Sequence, residues 1–131
     1  MIRYYSTSYK LLKSPHSVTL FVTSEKKIMM NTPRITLAIE EINAYCRTQA
    51  IVRLSLFGSV IRDDFTAESD VDVLVEFEVG AKITYFDLYE IQQALEKIIK
   101  RKIDLLTPNA LSEYFRDKVL ETAQVIYEAS S

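Results

Sequence analysis

Between residues 32 and 49 the apolar positions Ile35, Ile39, Ile42 and Cys46 recur at steps of four, three and four, which puts them on one stripe of a helix. Thr32 followed by Pro33 reads as an N-cap with proline at the first helical position. The helix is therefore predicted to open there and to run to about residue 49. Ile51–Phe57 is short, β-branched and apolar and is closed by Gly58, the pattern of a buried strand. Residues 59–63 are predicted as a short helix and residues 65–69 as a polar loop. Val71–Phe77 is nearly continuous in Val and Leu, as expected of a strand covered on both faces, and Gly80 turns the chain. Thr84 with Asp87 three residues on resembles a capping box, opening a helix whose buried face is Leu88, Ile91, Leu95, Ile98 and Ile99 and whose end is Lys100, Arg101 and Lys102. Ile103–Leu106 reads as a third strand. Thr107 and Pro108 then repeat the cap-and-proline signal before a last helix predicted to carry Leu111, Phe115, Val119 and Ala123. From Thr32 the order is helix, strand, short helix, strand, helix, strand, helix, which is an α/β arrangement with a small sheet covered by helices.

The 131 residues suit one compact domain. The first thirty stand apart: Arg3, Lys10, Lys13, Lys26 and Lys27 face the single acid Glu25, while the remainder carries the acid excess. We expect residues 1–30 to form a weakly structured N-terminal extension, with Met29 or Met30 the natural start, and residues 31–131 to form the domain. An added edge strand over residues 18–23 is the alternative. As a signal peptide the segment fails, because its apolar stretch is short and no small-residue cleavage site follows. No uninterrupted run of 18 apolar residues exists, so nothing is expected to span a membrane and the protein is expected to be soluble and cytoplasmic. A net charge of -2 and a pI near 5.5 offer no uniform basic surface, and direct DNA binding is not expected. One cysteine, Cys46, and one histidine, His16, exclude an intrachain disulfide, a Cys-rich zinc site and Ser-His-Asp chemistry. Catalysis must rest on carboxylates, hydroxyls, Lys and Arg. His16 is expected to be exposed.

The chemistry concentrates in Gly58-Ser59-Val60-Ile61-Arg62-Asp63-Asp64 and in Ser69-Asp70-Val71-Asp72-Val73-Leu74-Val75. A strand ending in Gly-Ser at the mouth of a helix lets an anion approach the backbone, with free N–H groups facing it. Asp70 and Asp72 lie two apart on a predicted strand, so both side chains leave the same face with Cα atoms roughly 6.5 to 7 Å apart. Two such carboxylates can share a hard divalent cation, and a metal is the natural way to keep both ionised. Asp104, between Ile103 and Leu105, is either a strand-start acid or a third carboxylate acting as metal ligand or general base. Each motif alone is commonplace. Together Gly-Ser, Arg62, Ser-Asp-x-Asp and a third-strand acid supply a phosphate cradle, a cation and a metal cluster, the parts that phosphoryl or nucleotidyl transfer needs.

This combination resembles the minimal nucleotidyltransferase family of the polymerase-β superfamily, whose signature is Gly-Ser, an Arg-Gly-Asp-like stretch, then Ser-Asp-x-Asp before an apolar strand. The resemblance covers about residues 32–128 and implies a polymerase-β-like nucleotidyltransferase fold, with a small mixed sheet flanked by helices. It also implies a magnesium-dependent enzyme using ATP, in which Asp70 and Asp72 hold the metals, Asp104 is the third acid, and Gly58 and Ser59 bind the triphosphate. Arg62 is expected to join them in binding phosphate, the alternative being that it pairs with Asp63, Asp64 or a metal-site acid. Asp63 departs from the family, whose members commonly have glycine there, but all three carboxylates are intact. Small stand-alone members resemble antitoxins encoded beside HEPN-type ribonuclease toxins. That likeness implies neutralisation by transfer of AMP from ATP to a toxin tyrosine, within an oligomeric complex with the toxin. A non-catalytic nucleotidyltransferase-like module that neutralises its partner by occlusion is the competing expectation.

Other features are read as ordinary surface. Lys97, Lys100, Arg101 and Lys102 are expected to end a helix favourably, contact with RNA or an acidic partner being the alternative, and Tyr4, Tyr5 and Tyr9 offer only weak evidence of sites for the protein's own modification. A haloacid-dehalogenase reading of Asp70-Val71-Asp72 fails, because Val73-Leu74 replaces the Gly-Thr it requires.

Overall fold

The computed structural model describes residues 7–9 and 18–130. Four short strands come first: β1 (Thr7–Tyr9), β2 (Val18–Val22), β3 (Ile28–Asn31) and β4 (Thr36–Leu37), an antiparallel meander in that spatial order. Residues 18–31 are thus largely strand. Met30 and Leu37 are wholly buried in the main core, so this sheet is anchored by its own apolar side chains. His16, Tyr4 and Tyr5, with the expectations attached to them, lie outside the described residues.

Helix α1 (Ile39–Arg47) begins six residues after the predicted first helical position, Pro33. Thr32 and Pro33 form instead the turn joining β3 to β4: Thr32 N and Oγ1 both donate to Ile35 O (2.9 and 2.8 Å), and Ile35 N donates back to Thr32 Oγ1 (3.1 Å). A threonine–proline pair serves a turn as well as a helix start, and burying Leu37 opposite Met30 decides between them. The predicted stripe survives in part, since Ile39, Ile42 and Cys46 are the buried face of α1.

The second sheet contains β5 (Ile51–Phe57), β6 (Val71–Phe77), β7 (Ile103–Leu106) and β8 (Gln124–Glu128), in the order β7-β6-β5-β8. It is mixed: β5 runs antiparallel to β6 and β8, and β6 runs parallel to β7. The parallel pair requires a crossover, supplied by α2 (Tyr85–Ile99). Its capping box is formed as the sequence implies, Thr84 N donating to Asp87 Oδ2 (2.8 Å) and Asp87 N to Thr84 Oγ1 (3.2 Å). Lys100, in the left-handed region at φ 62°, ends it. Leu54, Leu56, Val73 and Val75 join Ile91 and Leu95 of α2 in the main core, while Phe57 and Leu74 join Leu111 and Ala123 in a second cluster. Two covered faces explain why these strands are continuous in apolar residues rather than alternating.

The C-terminal segment differs from expectation. Pro108–Ala110 is a single 3-10 turn, and α3 (Glu113–Thr122) starts at the Ser112 cap, whose Oγ accepts from Tyr114 N (3.2 Å). Leu111 and Ala123 flank the helix and are buried, but Phe115 is 45% exposed. Strand β8 is not among the elements the sequence predicts. Its pairing with β5 joins residues more than sixty positions apart, a contact no local pattern announces.

Candidate active site

Where β5 ends and β6 begins, Phe57 pairs with Asp72. Directly after Phe57, Gly58 takes φ +74° and opens the 3-10 turn Gly58–Ile61. A Cβ on Gly58 would overlap the Asp72 carboxylate, so glycine is demanded both by the backbone conformation and by the carboxylate lying over it. Ser59 sits inside this turn, and its carbonyl accepts from Arg62 N (2.9 Å). The predicted short helix is therefore one tight turn that presents a glycine backbone beside an acid.

Asp104 on β7 is the register partner of Asp72 on β6, which sets the two Cα atoms about 4.8 Å apart, the spacing of neighbouring strands. Asp70 immediately precedes β6. Partial burial first, then the charges of Asp104 and Asp70, push the Asp72 carboxyl above its ordinary value, and Arg62 opposes them. Asp72 thus lies within electrostatic reach of both other acids. Among the described residues, no three His, Cys, Asp or Glu side chains stand close enough to enclose a metal ion. The donor chemistry nevertheless fits a hard divalent cation: the groups are all carboxylate oxygens, and such a cation offsets both the burial and the neighbouring charges that raise Asp72.

Arg62 is exposed and grips Asp64 through two bonds, Nε to Oδ1 (3.1 Å) and Nη2 to Oδ2 (3.2 Å). The fork holds Asp64 ionised, below its usual value. Arg34, from the β3–β4 turn, donates to Arg62 O (2.7 Å) and pairs with Asp63. Asp63 therefore gives the N-terminal sheet a hold on the loop beside the site. From the sequence Arg101 is a helix-ending charge; the structure gives it a second task. Its Nη2 donates to the carbonyls of Thr66 (3.1 Å), Ala67 (3.2 Å) and Ser69 (2.8 Å), and its guanidinium stacks 4.6 Å from the centre of the Phe65 ring. The loop leading into Asp70 is clamped by this one side chain.

A cleft of about 540 Å³ opens on Gly58 and Asp72, bounded by Phe57, Ile61 and Arg62 on one side and by Phe115, Lys118, Val119 and Thr122 of α3 on the other. The sequence pointed to Gly58, Arg62 and Asp72. The α3 side was missed, because Phe115 and Val119 carry the spacing of a buried stripe.

The model of the family described as polymerase beta, nucleotidyltransferase, matches residues 40–131. The chain belongs to this nucleotidyltransferase family. Over 73 residues it is 34% identical to a Methanocaldococcus jannaschii protein named "Putative protein adenylyltransferase", spanning 56% of this chain and 76% of that one. Over 74 residues it is 31% identical to the protein adenylyltransferase MntA of Thermococcus cleftensis, spanning 56% and 71%. A crystal structure described as the toxin-antitoxin with AMP-PNP shares the fold, with a TM-score of 0.56 at 18% identity over 70% of this chain and 74% of that one. The nucleotidyltransferase fold and enzyme class read from Gly58-Ser59 and the three acids hold. No helix among the described residues is long and apolar enough to cross a membrane.

Proposed function

We propose that this nucleotidyltransferase is a magnesium-dependent protein adenylyltransferase of antitoxin type, transferring AMP from ATP to a tyrosine of a HEPN-type ribonuclease toxin. The carrying observation is the Asp72 carboxylate, set over the Gly58 backbone and beside Asp104 at the mouth of the cleft. The names of the protein adenylyltransferase relatives support the reaction, and the toxin-antitoxin structure that shares the fold supports the partner.

Asp70, Asp72 and Asp104 are the residues that would hold magnesium, whose chemistry there is to neutralise phosphate charge. The chain's own groups do the rest. Gly58 and Ser59 admit the triphosphate against the backbone, and Arg62 places a cation at the rim of the cleft. Asp104, exposed at the sheet edge, takes the proton of the tyrosine hydroxyl as its oxygen bonds to the α-phosphorus. The bond from that phosphorus to the bridging oxygen breaks, and pyrophosphate leaves with the electron pair.

Incubating the chain with ATP, magnesium and the product of a neighbouring toxin gene should add about 329 Da to the toxin for each AMP, the covalent transfer that metal-assisted chemistry requires. Asp70→Asn and Asp72→Asn should abolish the gain while leaving the complex intact. A stable complex with no gain in mass, and equal neutralisation by the double mutant, would replace this reading with the occluding module.

A further inference from the structure

Helix α3 contains no buried residue, an unusual state for a helix with Phe115 and Val119 on one face. Those two, with Lys118 and Thr122, follow the spacing i, i+4, i+3 and i+7 and line the cleft opposite Gly58 and Asp72. The helix is nevertheless firmly held. Arg116 donates to Pro108 O (2.8 Å) and Leu111 O (2.9 Å), Ser112 caps the first turn, and Val119 and Leu120 pack against the second core cluster. Thr122 Oγ1 is committed to Lys118 O (2.8 Å), so it fixes the last turn. Lys118 Nζ makes no ion pair or hydrogen bond among the described residues. A fixed wall that exposes an aromatic ring and an unpaired ammonium toward a carboxylate and a glycine backbone is a wall awaiting a ligand with an apolar planar part and an anionic part.

We propose that α3 is the second wall of the nucleotide site, Lys118 binding the triphosphate and Phe115 stacking on the base. This rests on the nucleotidyl-transfer reading above and assigns to it two residues outside the signature. The cleft is within the size of small-molecule sites, about 300 to 1,000 Å³. Lys118 and Arg62 give it cations on opposite sides, the arrangement that suits a polyphosphate. Stacking on Phe115 tolerates any base, so the pocket contributes affinity for a nucleoside without reading its edge.

The chain contains no tryptophan, so Phe115→Trp installs a single fluorescent reporter in the wall. With calcium in place of magnesium to suppress turnover, ATP and AMP binding is measured by calorimetry for the wild type, Lys118→Gln, Lys118→Arg and Phe115→Ala, and by emission for Phe115→Trp. Lys118→Gln should weaken ATP about tenfold, as loss of one charge-assisted contact does, and AMP far less, with Lys118→Arg restoring ATP. Phe115→Ala should weaken both nucleotides alike, and Phe115→Trp should bind normally with its emission quenched. Both positions are exposed, and circular dichroism checks that each variant folds. Wild-type binding that neither Lys118→Gln nor Phe115→Ala alters, with unquenched tryptophan, overturns this inference alone. A wild type that binds no ATP overturns the nucleotidyl-transfer reading together with it.

Discussion

Asp72 carries an electrostatic penalty whose sign can be followed through pH. Burial, then Asp104 and Asp70, raise its carboxyl above the ordinary 3.8, with Arg62 in partial opposition. The folded chain therefore keeps this proton over a range where the unfolded chain has released it. Stability from this group is complete below pH 3.8 and is lost as pH rises through the folded value. Asp72→Asn removes the charge, so in metal-free buffer its Tm at pH 7 should exceed that of the wild type by a few degrees, on the order expected for a sub-domain electrostatic change. The difference should vanish on acidification below pH 3.8, and thermal melts followed by circular dichroism at both pH values test it. A lower Tm for Asp72→Asn at pH 7 would show that the carboxylate stabilises the fold. Cys46 behaves oppositely in function: wholly buried on α1, its thiol is pushed up to about 12 by burial, and it takes no part in the site.

At the scale of elements, the site depends on how the segment between the 3-10 turn and β6 is held. Thr66 N donates to Ser69 Oγ (2.9 Å), and Arg101 ties three carbonyls of the same loop. Val71 N bonds Lys102 O (3.0 Å), so the starts of β6 and β7 are joined next to Asp70 and Asp104. Arg101 touches neither acid and acts as a positioning residue. Arg101→Ala should lower kcat for the proposed AMP transfer about tenfold, the order of loss expected when reacting groups are misplaced, with KM for the nucleotide little changed. Arg101→Lys should recover only part of it, because an ammonium cannot serve three carbonyls and stack on Phe65 as a planar guanidinium does. Steady-state kinetics of the two variants, with amide exchange of residues 66–70, separates positioning from a general loss of stability. Nothing in the sequence ties Arg101 to that loop, since a basic helix end is explained equally well by the helix dipole.

Across the whole molecule, the N-terminal sheet and the site are one body. All four strands of the sheet lie outside the matched segment 40–131, yet Met30 and Leu37 sit in the main core and Arg34 reaches Arg62 O and Asp63. Asp63 is fully exposed and Arg34 partly so, and a pair of that kind adds little to global stability. Its effect should be local. Arg34→Ala should leave the Tm within a degree or two while speeding amide exchange at residues 62–64, and a mass-spectrometric exchange experiment distinguishes this from unfolding of the sheet. Unchanged exchange at those residues would mean that the 3-10 turn holds the loop without the sheet.

The strands Ile51–Phe57, Val71–Phe77 and Ile103–Leu106 coincide with their apolar runs, and the Thr84–Asp87 capping box forms as written. These were determined by the sequence itself, because periodicity and capping act over a few residues. Asp70, expected on the strand with Asp72, lies just before it. Tertiary structure alone decided the rest. Pairing of β4 with β3 turned Thr32–Pro33 from a helix start into a turn, and pairing with β5 made a strand of Gln124–Glu128. The register of β6 against β7 brought Asp104 beside Asp72, and the placement of α3 left Phe115 in a cleft, beside Lys118, instead of a core. Each of these is a choice between partners distant in the chain, settled by which surfaces can be buried together.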